Sequence, residues 1–339
     1  MQSYIFAKMN WNITLEMEDK IFNINDENGF IDVALEVFRL QSVNCDVYAE
    51  FIRLLKIDPN KVRRIEDIPF LPIEFFKSHQ IIANNTQKEI IFESSGTTGT
   101  VASKHFVAKV DLYRKSFNKA FQLFYGKPAD YTILALLPSY LERGNSSLVF
   151  MVDDLIRQSE SDDSGFYLNN LDELTDKLLG LSSFGKKILL IGVTYSLLDL
   201  AELNELDIPN TIIMETGGMK GKREELVRTE LHEILCSRFH VKSIHSEYSM
   251  TELMSQAYSK GDGIFNTPPW MKILIRNVND PYEIIANNKT GGINIIDLAN
   301  IYSCSFIATQ DLGKMTDRGF EVLGRFDSSD LRGCNLLVG

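Results

Sequence analysis

The sequence predicts an α/β fold, with a mainly parallel sheet flanked by helices and a smaller β-rich lobe. Three observations carry this expectation. Between residues 131 and 244, short apolar runs alternate with helical patterns, the mark of strands and helices wound into a sheet covered on both faces. From residue 263 onward the helical patterns stop, and short strand-like runs separated by Asn, Asp and Gly turns replace them. The chain has 339 residues, 44% of them hydrophobic, enough to bury a large core in one domain or two.

In chain order, Phe30, Val33, Leu35, Val37 and Phe38, then Val47, Phe51, Leu54 and Leu55, fall at helical spacing. They predict two amphipathic helices ending before Asp58-Pro59. The stretch Ile68-Pro69-Phe70-Leu71-Pro72-Ile73-Glu74-Phe75-Phe76-Lys77 contains two prolines that prevent regular helix and large apolar side chains that demand burial. It reads as a packed connector, with the lining of an apolar pocket as the alternative. A strand is expected over 102–107, a helix over 112–125 with Phe117, Phe121 and Phe124 inward, and a strand over 131–137. Residues 144–147 are expected to cap a helix over 148–156. Helix 171–183, strand 187–192, helix 195–204, strand 211–214, helix 223–239 and strand 241–244 follow. The β-rich part reads as strands over 271–277, 282–286, 292–298 and 303–309. The implied division is a helical segment 1–64, an α/β core 65–260 and the β-rich lobe 261–339.

A net charge of −11 argues against nucleic acid or an anionic membrane surface as the main partner. Residues 1–20 mix Glu16, Glu18 and Asp19 among apolar residues and lack the pattern of a signal peptide. No uncharged run reaches membrane-spanning length. Cys45, Cys236, Cys304 and Cys334 are widely spaced and form no CxxC, so neither a disulfide framework nor a zinc site is indicated, and a reducing cytoplasm is the expected compartment.

Five polar clusters bear on function. Glu93-Ser94-Ser95-Gly96-Thr97-Thr98-Gly99 follows the apolar run Ile90-Ile91-Phe92. Its glycines let consecutive N–H groups converge on an anion and its hydroxyls add donors, which suits a phosphate; an ordinary polar β-turn is the alternative. It is not a Walker A loop, since the first lysine downstream is Lys104. Thr216-Gly217-Gly218 leaves a strand, either to admit a flat ligand or to relieve a tight turn. Tyr248-Ser249-Met250-Thr251-Glu252 offers an aromatic face, a hydroxyl and a carboxylate suited to Mg²⁺, or a capping box from Ser249 to Glu252. Thr309-Gln310-Asp311 provides a carboxylate for ribose hydroxyls, or an Asp in a turn. Gly324-Arg325-Phe326-Asp327 holds a site arginine or a surface ion pair.

In this order (Ser-Ser-Gly-Thr-Thr-Gly, Tyr-x-x-Thr-Glu, Thr-x-Asp, Gly-Arg-x-Asp) the clusters resemble the adenylate-forming enzymes that activate carboxylates with ATP. The resemblance covers roughly residues 65–335. The short length, the 68–77 connector and the Phe92–Gly99 stretch are similar to the acyl-protein synthetase (LuxE-type) branch, related to phenylacetate–CoA ligases. The resemblance implies ATP and Mg²⁺ as cofactors, with Ser94, Ser95, Gly96, Thr97, Thr98 and Gly99 cradling the triphosphate and Gly217 and Gly218 walling the acyl and adenine pockets. It further implies Tyr248 on adenine, Thr251 and Glu252 on phosphate and Mg²⁺, and Asp311 and Arg325 on the ribose. A carboxylic, fatty-type acid is the implied substrate. Cys334 is the implied acyl acceptor before transfer to a partner such as a reductase, or else a buried small residue. Family members continue past the Gly-Arg-x-Asp hinge into a lysine-bearing subdomain that this sequence, to Gly339, does not contain. Acyl-CoA ligation and a nucleotide-binding subunit without turnover stay open beside this reading. Among the histidines, His245 precedes Tyr-x-x-Thr-Glu and is the one expected to face a ligand, whereas His79, His105, His232 and His240 show no partner pattern.

Overall fold

The computed structural model describes residues 15–95, 101–138, 144–168, 170–217 and 226–326. Three helices come first: α1 (Leu15–Phe22), α2 (Glu27–Asn44) and α3 (Asp46–Leu54). They are followed by β1 (Leu71–Pro72), the short α4 (Phe75–Ser78), and an antiparallel hairpin of β2 (Ile90–Glu93) and β3 (Lys104–Val107). The alternating part contains α5 (Val110–Tyr125), β4 (Thr132–Leu136), α6 (Ser147–Ser159), β5 (Gly165–Phe166), α7 (Leu171–Ser183), β6 (Ile188–Gly192), α8 (Thr194–Leu203), β7 (Thr211–Glu215), α9 (Arg228–Phe239) and β8 (His245–Tyr248). Six strands complete the described chain: β9 (Ala257–Ser259), β10 (Ile264–Asn266), β11 (Met271–Arg276), β12 (Gly291–Asp297), β13 (Phe306–Thr316) and β14 (Gly319–Arg325).

One mixed sheet takes the order β11-β12-β13-β14-β10-β9-β8-β7-β6-β4-β5, with β1 alongside β13. From β5 to β8 the pairs are parallel, and from β8 to β11 they are antiparallel. Every residue of β4 and β6 is buried, as expected of parallel strands with helices on both faces. Three helices start at a capping side chain, Asp26 for α2, Ser146 for α6 and Asn170 for α7. Asp26 Oδ1 accepts from Gly29 N at 2.8 Å, and Ser146 Oγ accepts from Val149 N, which realises the cap expected from residues 144–147. The inward stripe of α5 buries Phe117 and Phe121 fully, and Phe117 packs edge-on against Tyr113.

The 68–77 connector is a packed element. Phe70, Leu71 and Phe76 are buried, Leu71 and Pro72 pair with Ile307 and Ala308, and Ile73 N donates to Ala308 O at 3.0 Å. Several expected boundaries are displaced. The strand expected over 241–244 lies at 245–248, where His-Ser-Glu-Tyr pairs with β7 and β9; a polar strand buried between neighbours has no hydropathy signal. The strand expected over 303–309 runs from 306 to 316 and carries Asp311 within it, rather than in a turn. Residues 282–286 supply a single bridge, Arg276 to Ile284, and α9 begins at Arg228 rather than 223.

The β13–β14 hairpin carries Asp311 and Arg325 as paired residues, and Gly319 makes its turn possible. Gly319 has φ +148°, and a Cβ there would lie 2.2 Å from the Phe265 carbonyl oxygen. Gly319→Ala is expected to destabilise the protein by about 3 kcal/mol in urea unfolding, through left-handed strain and separation of β14 from β10. A loss below about 1 kcal/mol would show that the hairpin yields at this point.

Candidate active site

Three polar side chains from distant stretches meet on one face of the site. Tyr248, the last residue of β8, donates its hydroxyl to Asp311 Oδ2 at 2.8 Å, and Arg325 on β14 donates from Nε to Asp311 Oδ1 at 3.3 Å. Tyr248 and Asp311 are buried, whereas the Arg325 side chain is 80% exposed, so its two terminal nitrogens face outward beside the carboxylate. The Tyr248 ring stands edge-to-face with Phe265 and Phe320, at centroid distances of 5.9 and 5.7 Å. Burial, reinforced by Asp311, pushes its phenol well above the ordinary range. The two carboxylate oxygens of Asp311 hold about four lone-pair sites, and the Tyr248 and Arg325 contacts occupy two of them.

The segment after Tyr248 is irregular, and from Glu252 through Ser259 it is buried. Its backbone is held by side chains. Asp297, fully buried at the end of β12, accepts from Met254 N at 2.7 Å, Ser255 N at 3.0 Å and Ser255 Oγ at 2.6 Å. Asn300 Nδ2 donates to the carbonyls of Glu252 (2.8 Å) and Cys304 (3.0 Å). The His105 ring lies with Nδ1 2.9 Å from Thr251 O and Nε2 3.0 Å from Asn300 Oδ1. Burial pushes the Glu252 carboxyl up, while the Ser103 hydroxyl and the charges of Arg325 and Lys77 draw it back. Among the described residues Glu252 has no salt bridge.

Ser103 and His105 lie on one buried face at the start of the strand that follows the Ser/Thr/Gly turn. The two ends of the turn are tied together, since Ser94 N donates to Ser103 O at 3.0 Å and Ser103 N to Ser94 Oγ at 2.9 Å. Ser94 thus accepts with its hydroxyl oxygen and keeps its own proton to donate. Ser95 is exposed; Gly96, Thr97, Thr98 and Gly99 lie outside the described residues. Lys104 pairs with Glu93 at 3.2 Å.

At the end of β7, Gly217 adopts φ +73° and donates its N–H to Glu215 Oε2 at 2.6 Å. Gly218 and Cys334 lie outside the described residues. Burial alone would raise the Glu215 carboxyl, but His232 and Arg228, with nitrogens 3.9 and 3.6 Å away, hold it below its ordinary value. Glu247, on the opposite face of the adjacent strand, behaves differently. Burial pushes it up to about 7 against the pull of the Ser249 hydroxyl, and Glu215 adds to the rise; its Oε1 has no partner among the described residues. Of the histidines, His245 contacts the Tyr125 hydroxyl at 3.2 Å, while His105, which the sequence left without a partner, joins the network around Thr251. The available signal was spacing: Ser103 and His105 alternate in a strand directly after the turn.

The same fold occurs in solved structures of other proteins. A 2-hydroxyisobutyryl-CoA ligase in an open conformation, in complex with 2-HIB-AMP and CoA, superposes with TM-score 0.64 at 11% identity, over 89% of this chain and 70% of that one. An ATP-bound RpMatB-BxBclM chimera matches with TM-score 0.52 at 18% identity, over 71% of this chain and 49% of the chimera, so the chain spans about half the chimera's length. The family model described as acyl-protein synthetase, LuxE, matches residues 4–339, and the chain belongs to that family. A long-chain-fatty-acid–luciferin-component ligase of Photorhabdus luminescens is 32% identical over 108 residues, which are 29% of this chain and 91% of the relative. The family is thus one of synthetases, and the relative is named a ligase.

Glu247 gives the site a pH signature. Its folded value near 7 stands above the 4.5 of an ordinary Glu, so between these values the folded state holds a proton that the unfolded state has lost. This stability is fully present below pH 4.5 and is lost as pH rises through 7, a change of about 3 kcal/mol. Burial lowers His105 and His245 to about 4, which adds stability over the same window as pH rises, so the expected signature is the difference between two proteins. Thermal unfolding across pH 4.5–8 is expected to show the wild type losing stability relative to Glu247→Gln as pH rises. Parallel profiles for the two proteins would contradict it.

Proposed function

We propose that the chain activates a carboxylic acid of the fatty type with ATP, forming an acyl-adenylate, and passes the acyl group to a protein thiol. The observation that supports this reading best is the contact of Tyr248 with Asp311 at 2.8 Å, flanked by Arg325, which joins three of the family's motif positions around one carboxylate. Family membership and the Photorhabdus relative's action on a long-chain fatty acid support the substrate class.

The residues fit the proposed cofactors. Asp311 has acceptor sites left for a ribose diol, and the outward nitrogens of Arg325 are donors for ribose or phosphate. Tyr248 is assigned to the adenine, and Ser94 through Gly99 to the triphosphate, for which the hydroxyl proton of Ser94 is one donor. Gly217 and Gly218 are assigned to the wall of the acyl and adenine pockets, and Thr251 to phosphate. Glu252, a buried carboxylate with no salt bridge among the described residues, suits Mg²⁺. Those residues contain no group of three His, Cys, Asp or Glu side chains fit for a metal, so the ion would share its coordination with nucleotide phosphates, as Mg²⁺ commonly does. Bound there, MgATP supplies an α-phosphorus that converts a poor carboxylate electrophile into an acyl group with a good leaving group. The protein aligns the reactants and neutralises charge.

Cys334 is assigned as the acyl acceptor, and an acyl-accepting protein such as a reductase as the partner. No helix among the described residues is long and apolar enough to cross a membrane, and a cytoplasmic setting is proposed with the rest. The test is carboxylate-dependent pyrophosphate release from MgATP across acids of increasing chain length. Release by the wild type and a fall of about 100-fold in Glu252→Gln are expected. Labelled acyl on the protein without CoA, lost in Cys334→Ser, would identify the acceptor. Label retained in that variant would remove Cys334 from the role, and absence of release with every acid would refute the reading as a whole.

A further inference from the structure

The strand that carries Asp311 does not run straight past its neighbour. Gly292 on β12 pairs with Leu312 on β13, and Asn294 pairs with Ala308, so Thr309, Gln310 and Asp311 stand opposite the single residue Ile293. A bulge of this kind breaks the ladder and re-aims side chains. It is closed by Arg276 of β11, which pairs with Gly292 and extends its side chain across β12. One terminal nitrogen donates to Ile293 O at 2.8 Å and Asn294 Oδ1 at 2.9 Å, and the other donates to Thr309 O at 2.5 Å. All three partners are acceptors, and a guanidinium offers only donors. Thr309 Oγ1 donates to Ile293 O at 2.9 Å and accepts from Asp311 N at 3.1 Å. Phe326 lies against the guanidinium, 5.5 Å from its ring centroid, and donates its N–H to Gln310 O at 2.8 Å. The side chain can take this path because residue 292 is glycine: a Cβ there would stand 2.5 Å from Arg276 Cζ. Burial draws the pKa of Arg276 down, against the charges of Glu74 and Asp311.

We propose that Arg276 is a positioning residue for the ribose, which by filling this bulge fixes the backbone that aims the Asp311 carboxylate. The inference rests on the ribose role proposed above for Asp311. Its physical basis is the cost of an unpaired buried carbonyl. Thr309 is buried, and without the guanidinium its oxygen loses this donor, so the extra residues of β13 are free to redistribute along the strand and turn Asp311 away.

The experiment is isothermal titration calorimetry of the full chain with MgATP and with Mg-2′-deoxyATP, which lacks one hydroxyl for Asp311. The wild type is expected to bind MgATP about tenfold more tightly than the deoxy form, the difference of one hydrogen bond to a charged group. Arg276→Lys keeps the charge but loses the fork that spans two strands. Gly292→Ala keeps Arg276 and places a methyl group where the guanidinium lies. In both variants the preference is expected to fall below about threefold, through weaker binding of MgATP. Leu178→Ala, a truncation of a fully buried residue of α7, is the control for lost stability and is expected to keep the whole preference. A preference retained in either site variant, lost equally in Leu178→Ala, or preserved while both nucleotides weaken together would overturn the positioning role. A wild type that binds the two nucleotides equally would remove the ribose role of Asp311 and this inference with it, leaving adenylation to the pyrophosphate assay. A wild type that binds neither would refute the functional reading itself.

Discussion

The site depends on one constraint: a buried stretch of chain without regular secondary structure must find partners for its backbone elsewhere. Residues 249–256 leave β8 and return as β9, and from Glu252 onward they are buried. Water cannot satisfy their N–H and C=O groups there, and an unpaired buried backbone group costs about as much as a lost hydrogen bond. Asp297 takes the N–H groups of Met254 and Ser255, Asn300 takes the Glu252 carbonyl, and His105 meets that of Thr251. The hydroxyl and carboxylate of Thr251 and Glu252 stand where these three side chains put the backbone. Asp297 bears the largest part, and burial lifts its carboxyl to about 6 although Ser255 and nearby backbone N–H groups pull against it.

That segment sits where the sheet changes character. On one side of β8 lies the parallel neighbour β7, and on the other the antiparallel neighbour β9. Parallel α/β sheets collect ligands outside the carboxyl ends of their strands. At this end β7 delivers Glu215 and Gly217, and β8 delivers Tyr248. The antiparallel half contributes by a different route: β13 and β14 bring Asp311 and Arg325 into cross-strand register, so that the Tyr248 hydroxyl finds its acceptor across the sheet. Neither half alone assembles the cluster. Arg228 reinforces the junction, reaching Glu215 on β7 while donating to Val322 O on β14 at 3.0 Å.

The sequence made the α/β alternation legible because buried parallel strands such as Ile188–Gly192 are continuous apolar runs, and because turn residues separate them from the helices. It also made Tyr248, Asp311 and Arg325 legible as candidates, through the order in which their motifs occur. It could not supply their partners. His105 is bound to a backbone carbonyl 146 positions away and to an amide 195 positions away, and no local pattern encodes either contact. Asp297 falls within the strand expected over 292–298 and Asn300 between two expected strands, and nothing local shows that both complete the backbone of a distant segment. The slip in β8 has a related cause. His-Ser-Glu-Tyr looks like loop to any hydropathy argument, yet Ser246, Glu247 and Tyr248 are buried between two neighbouring strands.

Charge adds a last constraint on the proposed nucleotide site. A protein of net charge −11 that is to receive a polyanion must limit the negative charge it presents there. Each carboxyl near the ends of β7, β8 and β13 is handled in its own way. Glu215 is held ionised with Arg228 and His232 beside it, and Asp311 is matched by Arg325 and by the Tyr248 hydroxyl. Glu247 and Asp297 are driven toward the protonated form by burial. Two adjacent strands thus carry glutamates whose surroundings push them in opposite directions, and only the one with a cation keeps its charge cheaply. Glu252 is the exception, a buried carboxylate raised by burial and without a salt bridge among the described residues, with Arg325 and Lys77 acting on it only from a distance. Such a group gains most from a cation that arrives with the ligand. A nucleotide carrying its own Mg²⁺ would complete the charge balance that the protein leaves open at this one position.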